Sequence, residues 1–442
     1  MSSSSFNHIA VAIRRIEHLV YIQVLLERMN KEGCKITLFI DKKFLDAESN
    51  QRLATFIDQK LQIEKILPIQ SDRMFIRISK RILGNLVYLA DNGKDIEYFL
   101  RNAYRTSMNV FVKPTLWLLE NNSKTVAKVA SFLIKFIRKT LSNICVFKKE
   151  VQDYDFLLVT PGNMLDSVED SLMFRFRKAG IPCFIMALSL DNLNNKGTTI
   201  CVPDLYFAWN SFHRELLIKR HKIPMENVLI VGSPYFDLYA RNAFESAIRP
   251  SSFLSLLKNQ NKEIICYLAS SANVVENEPA FLRAKLDEWE FSSRNYLLII
   301  KPHPANQAIW NEWNYGGTLL YSEGHTFIER DYLTSVEILK KSLFAFGINT
   351  SAFLDCIAIG TPVFALRNHD ALHQENASHY IYLISNGIQQ YESLKDVKNF
   401  PGELHWTSEQ LMNVRDKLLP FFGGVTDKII VEINKHNKTI MP

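Results

Sequence analysis

A lysine, a histidine and two prolines close one apolar run, Leu297-Leu-Ile-Ile-Lys-Pro-His-Pro304. Both prolines restrict the backbone, so His303 is expected at the carboxyl end of a buried strand, with Lys301 before it and Pro304 after it. An imidazole and an ammonium fixed there suit a phosphate or diphosphate. The bland alternative is a histidine that only caps its loop. A second polar turn, Asn349-Thr-Ser351, follows the apolar run Leu343–Gly347 and leads at once into a helical stretch that Gly360 ends. Hydroxyls and unpaired backbone N–H groups at a helix start form an anion site with the positive end of the dipole. Thr350 or Ser351 could equally be a plain N-cap. Taken with His303, they point to a single anionic leaving group.

If an acceptor hydroxyl is to lose its proton, a carboxylate must reach it. Asp191, in Ser189-Leu-Asp-Asn-Leu-Asn-Asn-Lys-Gly197, is the best placed one in the first half, although Asp191-Asn192 also reads as an ordinary turn. His369 and His373 are spaced i,i+4 beside Glu375 and His379, but HExxH is missing and no third ligand is obvious, so no metal is expected. Asp153-Tyr-Asp155 has the spacing of a DxD metal clamp, yet it precedes an apolar strand instead of ending one. Neither a phosphate loop nor GxGxxG occurs, which removes the usual kinase and dehydrogenase readings.

These groups need strands and helices to hold them. His8–Ile13, a helical stretch from Ile16 to Met29 stopped by Gly33, and Lys35–Ile40 make a β-α-β unit, the signature of a parallel sheet. Buried strands are expected again at Phe156–Thr160, Cys183–Leu188, Leu205–Trp209 and Val228–Val231. After a gap of about thirty residues come Glu263–Leu268, Tyr296–Lys301, Leu343–Gly347 and Pro362–Leu366. We therefore expect two α/β halves. The first, 1–245, would bind the acceptor, the second, 246–425, the nucleotide, and a helix in 426–442 would pack back on the first. Open α/β sheets bind ligands outside the carboxyl ends of their strands, so the chemistry belongs on the loops that follow strands.

The chain has 442 residues, of which 47% are hydrophobic and 22% charged, with a net charge of +6. That excludes a disordered or collagen-like chain, and the small surplus does not suggest a dedicated nucleic-acid binder. Six scattered cysteines without a CxxC pair read as buried thiols, hence a reducing cytoplasm. The apolar stretch Ile9–Ile13 is too short for a signal peptide and is followed by Arg14 and Arg15, and no uncharged run is long enough to span a bilayer. Residues 123–149 stand apart, with seven basic residues (Lys124, Lys128, Lys135, Arg138, Lys139, Lys148, Lys149), no acidic one, and interleaved apolar positions. Such a helix can lie on an anionic membrane, pack on the first domain, or line a channel for an acidic substrate. Its apolar positions nearly surround the axis, which favours packing.

Lys301-Pro-His-Pro304 and Asn349-Thr-Ser351 resemble the HP and Ser/Thr motifs of bacterial sialyltransferases, Kdo transferases and CDP-glycerol glycerophosphotransferases. Asp191–Gly197, Pro203-Asp204 through Trp209-Asn210, and Val231-Gly-Ser-Pro234 also resemble members of this GT-B group of the bacterial surface-polysaccharide type, over roughly 180–370. The resemblance implies two Rossmann-like domains facing each other across a cleft. It also implies a metal-independent glycosyltransferase with no cofactor, moving a sugar from a nucleotide donor, by preference CMP-activated, to a glycan or glycolipid hydroxyl. His303 and Asn349, Thr350 and Ser351 would hold the nucleotide and its phosphate, with Lys301 and Pro304 beside them. The acidic motif that supplies the base in sialyltransferases is absent, and Asp191 is the substitute.

Three alternatives are a CDP-glycerol-type polyol-phosphate transferase, a non-catalytic nucleotide-binding protein and an isomerase of the UDP-N-acetylglucosamine 2-epimerase kind. The isomerase shares the fold and would release a free sugar without an acceptor, but it usually carries a glutamate-rich helix after the Ser motif, where only Asp355 stands here. The expected location is cytoplasmic, with peripheral attachment to the inner membrane face as an option.

Overall fold

The computed structural model describes residues 6–45, 61–70, 72–92, 95, 123–144, 153–163, 167–240, 257, 261–271, 275, 277–321, 330–369, 374, 377–397 and 406–440. The chain divides into two compact units, Met1–Asp237 with Pro420–Pro442, and Leu238–Leu419. The sequence expectation put these junctions a few residues later, at 245 and 425.

The first unit holds seven parallel strands: β1 (His8–Ile13), β2 (Lys35–Asp41), β3 (Ile63–Ile69), β4 (Leu157–Thr160), β5 (Cys183–Met186), β6 (Leu205–Ala208) and β7 (Val228–Ile230), in the order β3-β2-β1-β4-β5-β6-β7. β4, β5 and β6 are buried along their whole length, as apolar runs between two helical layers must be. The second unit holds six: β8 (Glu263–Leu268), β9 (Tyr296–Lys301), β10 (Thr318–Leu320), β11 (Ser342–Gly347), β12 (Val363–Leu366) and β13 (Gln389–Tyr391), ordered β10-β9-β8-β11-β12-β13. Both are doubly wound Rossmann-type sheets. Each has one point where the strand order reverses, between β1 and β4 and between β8 and β11, and that is where such sheets bind ligands.

Helices fill the crossovers. Ile16–Tyr21 is a 3-10 turn that passes into the α-helix Gln23–Lys31, so the expected single helix is two pieces. Gly360 ends the helix Phe353–Ile359 with φ +96 and returns its N–H to Cys356 O, the left-handed stop that glycine adopts without strain. The last helix, Val425–Ile440, completes the first unit: the Asp237 carboxylate accepts the N–H groups of Val425 and Thr426 at 3.2 and 2.7 Å.

The first core also encloses charge. Lys80 on the helix Met74–Leu89 is 2% exposed and donates to Asp72, Asp170, Ser167 O and Ser171 Oγ. Burial opposes its charge, but the two carboxylates more than offset this and hold the ammonium above its ordinary value. Among the described residues no helix is long and apolar enough to cross a membrane.

Candidate functional site

In the second sheet, register puts Lys301, Leu268, Gly347 and Ala365 in one row at the carboxyl ends of β9, β8, β11 and β12. Adjacent strands are about 4.8 Å apart, so Lys301 and Gly347 stand roughly 10 Å from each other with the end of β8 between them. Gly347 is required here, because a Cβ would lie 2.4 Å from Leu268 O. Loops leaving this row carry His303 and Asn349, each two residues past its strand.

The end of β8 lies between them, and Ala269 N–H donates to Lys301 O. Asn349 N–H donates to Ser270 Oγ, and Ser270 N–H donates to both oxygens of Glu278, whose Oε1 also accepts from Tyr267 OH. Burial pushes the Glu278 carboxyl up to about 7, against the pull of these donors. On the other side Gln374, fully buried, donates to Ile348 O, Leu366 O and Tyr380 OH, and its own oxygen accepts Asn368 N–H. The β11 loop is thus fastened on both flanks.

Within this frame the expected residues behave differently. Asn349 is 4% exposed; its Oδ1 is within 3.3 Å of His379 Nε2, and its Nδ2 makes no hydrogen bond. Thr350 Oγ1 accepts Ala352 N–H, the capping role, while Phe353 and Leu354 donate back to Thr350 O and Ser351 O. The expected open helix tip is therefore largely closed on itself, and the seven-residue helix adds little dipole. Ser351 stays exposed. His303 is half-buried and its carbonyl accepts Asn306 N–H, where the 3-10 stretch Pro304–Trp310 begins. Lys301 is near enough to the buried thiols of Cys266 and Cys356 to work against the upward push of burial on both.

In the first unit, Asp191 accepts from Ser189 Oγ and precedes the short helix Asn192–Asn195, the turn arrangement rather than an open carboxylate. His213 beside it is buried and held down to about 4 by desolvation; its Nε2 bonds Leu190 O. Sequence reasoning overlooked the reversal point of this sheet. Arg14 and Arg15 follow β1 there, their guanidinium carbons 5.3 and 4.3 Å from the centre of the Phe44 ring. Burial, then these two charges, push His18 down to about 3. Across the reversal, Asn163 is buried and donates to Asn192 O.

His369 pairs with Glu392 at 3.1 Å on the surface and His379 is buried against Asn349, while His373 and Glu375 lie outside the described residues. Among the described residues no group of three or more His, Cys, Asp or Glu could hold a metal. Asp155 of the DxD tripeptide accepts the N–H groups of Asn7 and His8, tying down the start of β1.

No family model matches the chain, and a search of curated proteins found no match. Solved structures do match in fold. S. aureus MnaA in complex with UDP superposes with a TM-score of 0.53 at 13% identity, over 98% of each chain. The UDP-GlcNAc 2-epimerase of Neisseria meningitidis bound to UDP-GlcNAc gives 0.51 at 12%, over 97% of this chain and all of that one. That of Methanocaldococcus jannaschii with UDP-GlcNAc and UDP gives 0.50 at 12%, over 97% and 99%. At such identities the likeness is one of fold: two parallel-sheet α/β domains, as the sequence implied.

Proposed function

We propose that the protein is a nucleotide-sugar isomerase of the UDP-N-acetylglucosamine 2-epimerase kind, with the nucleotide phosphates at the reversal point between β8 and β11. The observation that carries the binding step is the Asn349 amide. It is a buried donor without a partner, held by His379 and Ser270 on the loop that follows β11, with only the end of β8 between that strand and the one that ends in Lys301, and burying such a donor costs about 1–3 kcal/mol unless a ligand accepts from it. Lys301 and His303 would meet the charge on the phosphates, so the proposal uses no metal. The reaction class draws its support from the full-length likeness to structures holding UDP and UDP-GlcNAc. The CMP-sugar transfer expected from the motifs has less behind it, since Asp191 is engaged in its turn.

One feature favours transfer as a second reading. The helix Phe353–Ile359 carries Asp355 as its single acid, and this accepts from Tyr239 OH at 2.8 Å. A single experiment separates the two. Inverting a carbon that bears hydrogen by proton transfer removes the proton from one face and returns one to the other. Incubation with UDP-GlcNAc in D2O should therefore give the 2-epimer carrying deuterium at C2 without any acceptor. Stabilisation by CMP alone, with no exchange, would overturn the isomerase reading.

A further inference from the structure

The helix Ser123–Ile144 supplies none of the residues at the reversal point between β8 and β11, yet it is unusually built. Its inner side buries Ala130, Ile134, Leu141 and Arg138, and it packs on the helix Met74–Leu89. Arg138 is spent internally, donating to Thr199 O, His221 O and Thr198 Oγ1. The outer side exposes Lys124, Lys128, Lys135 and Lys139 beside Val129, Phe132 and Phe136. The two phenyl rings are 67% and 57% exposed and stack on each other at 6.3 Å. Packing and an outward-facing apolar stripe coexist on this helix.

Its carboxyl half forms one wall of a cavity of about 780 Å³ lined by Lys135, Lys139, Arg177, Lys178, Lys222 and Phe174, with no carboxylate among the described lining residues. Arg177 is engaged, 3.4 Å from Asp204 and donating to Val202 O. Lys135, Lys139 and Lys178 form no ion pair among the described residues. Burial, and after it the charge of Lys135, keep the Lys222 ammonium below its ordinary value, with Asp91 pulling the other way. Among the described residues, Lys135, Lys139 and Lys178 thus bring to the cavity positive charge that no ion pair offsets. Cys201, Val202 and Pro224 in its wall precede β6 and β7, so it opens at the amino edge of the sheet, opposite the edge that carries Asp191.

Exposed aromatic rings beside an unneutralised cationic cavity are complementary to an anionic bilayer surface. The rings enter the interfacial layer, and lipid phosphates neutralise the ammonium groups. We propose that this face of the first unit docks on a membrane rich in anionic phospholipid, with one headgroup phosphate seated among Lys135, Lys139, Lys178 and Lys222. The proposal is independent of the reaction class.

Co-sedimentation of the full chain with phosphatidylcholine vesicles, with and without phosphatidylglycerol, tests it. Binding is expected only with phosphatidylglycerol and should weaken with salt. Each cavity charge removed should lower partitioning about fivefold, so Lys178→Gln with Lys222→Gln should lose roughly 25-fold. Phe132→Ser with Phe136→Ser, which touches no core position, should lose about tenfold. A Phe136→Trp probe should shift its emission to the blue with the anionic vesicles alone. Equal binding to neutral vesicles, no binding at all, or full binding by the Lys178/Lys222 variant overturns the proposal. So does stronger retention by single-stranded nucleic acid than by vesicles at equal phosphate.

Discussion

The backbone N–H of Asn349 donates to the Oγ of Ser270 across 3.2 Å, from the β11 loop to the β8 loop. These loops flank the reversal point of the second sheet, so this bond sets the height at which the Asn349 amide is presented. Ser270→Ala removes the acceptor and leaves a buried N–H unpaired. The expected loss is about 1–3 kcal/mol in denaturant unfolding, together with weaker nucleotide stabilisation. Full stability and full nucleotide response would remove Ser270 from this role.

His303→Ala should lower turnover about 10²–10³-fold while the melting temperature without ligand stays within a degree or two, as for loss of one group aimed at developing charge. Steady-state kinetics and a thermal melt on the same sample check it. Wild-type turnover would take His303 out of the site.

Glu278 makes a pH prediction. Its folded pKa of about 7 lies above the usual 4.5, so the protonated form favours the folded state. The stability it confers is fully present below the unfolded value and is lost as pH rises through about 7, by at most about 3 kcal/mol. Glu278→Gln keeps an acceptor for Ser270 N–H and Tyr267 OH, and it should flatten that fall when unfolding is measured between pH 5 and 8.

Lys80→Ala should cost about 3–5 kcal/mol, because it leaves Asp72 and Asp170 facing each other with no cation between them. Chemical denaturation gives the value. A loss under about 1 kcal/mol would mean that water replaces the ammonium.

Gly347→Ala forces a methyl against Leu268 O, and since β8 and β11 are both central strands neither can move aside. Overpacking of this kind costs about 1–3 kcal/mol or more, and with it the alignment of the Asn349 loop should fail. Nucleotide-induced stabilisation is the readout.

The strands overlooked in the sequence were β3, β10 and β13, and all three lie at sheet edges. An edge strand is held from one side and need not be apolar: β3 contains Glu64, Lys65 and Pro68 and is mostly exposed. The central strands were legible because burial on both faces demands continuous apolar runs. The candidate site was legible where a rigid pair of prolines or a hydroxyl turn ended such a run. Ser270 and Gln374 were not, since single polar residues act here through partners brought close only by the sheet order. Arg14 and Arg15 were read merely as a barrier to a signal peptide, and their place beside the strand reversal is a property of topology alone.

The return of the last helix to the first unit has a consequence for synthesis. The ribosome delivers Asp237 long before Val425, with the whole second unit in between, a delay of roughly ten to forty seconds at ordinary elongation rates. Throughout that interval the nascent first sheet lacks its closing helix, so the later-born unit can finish folding before the earlier one.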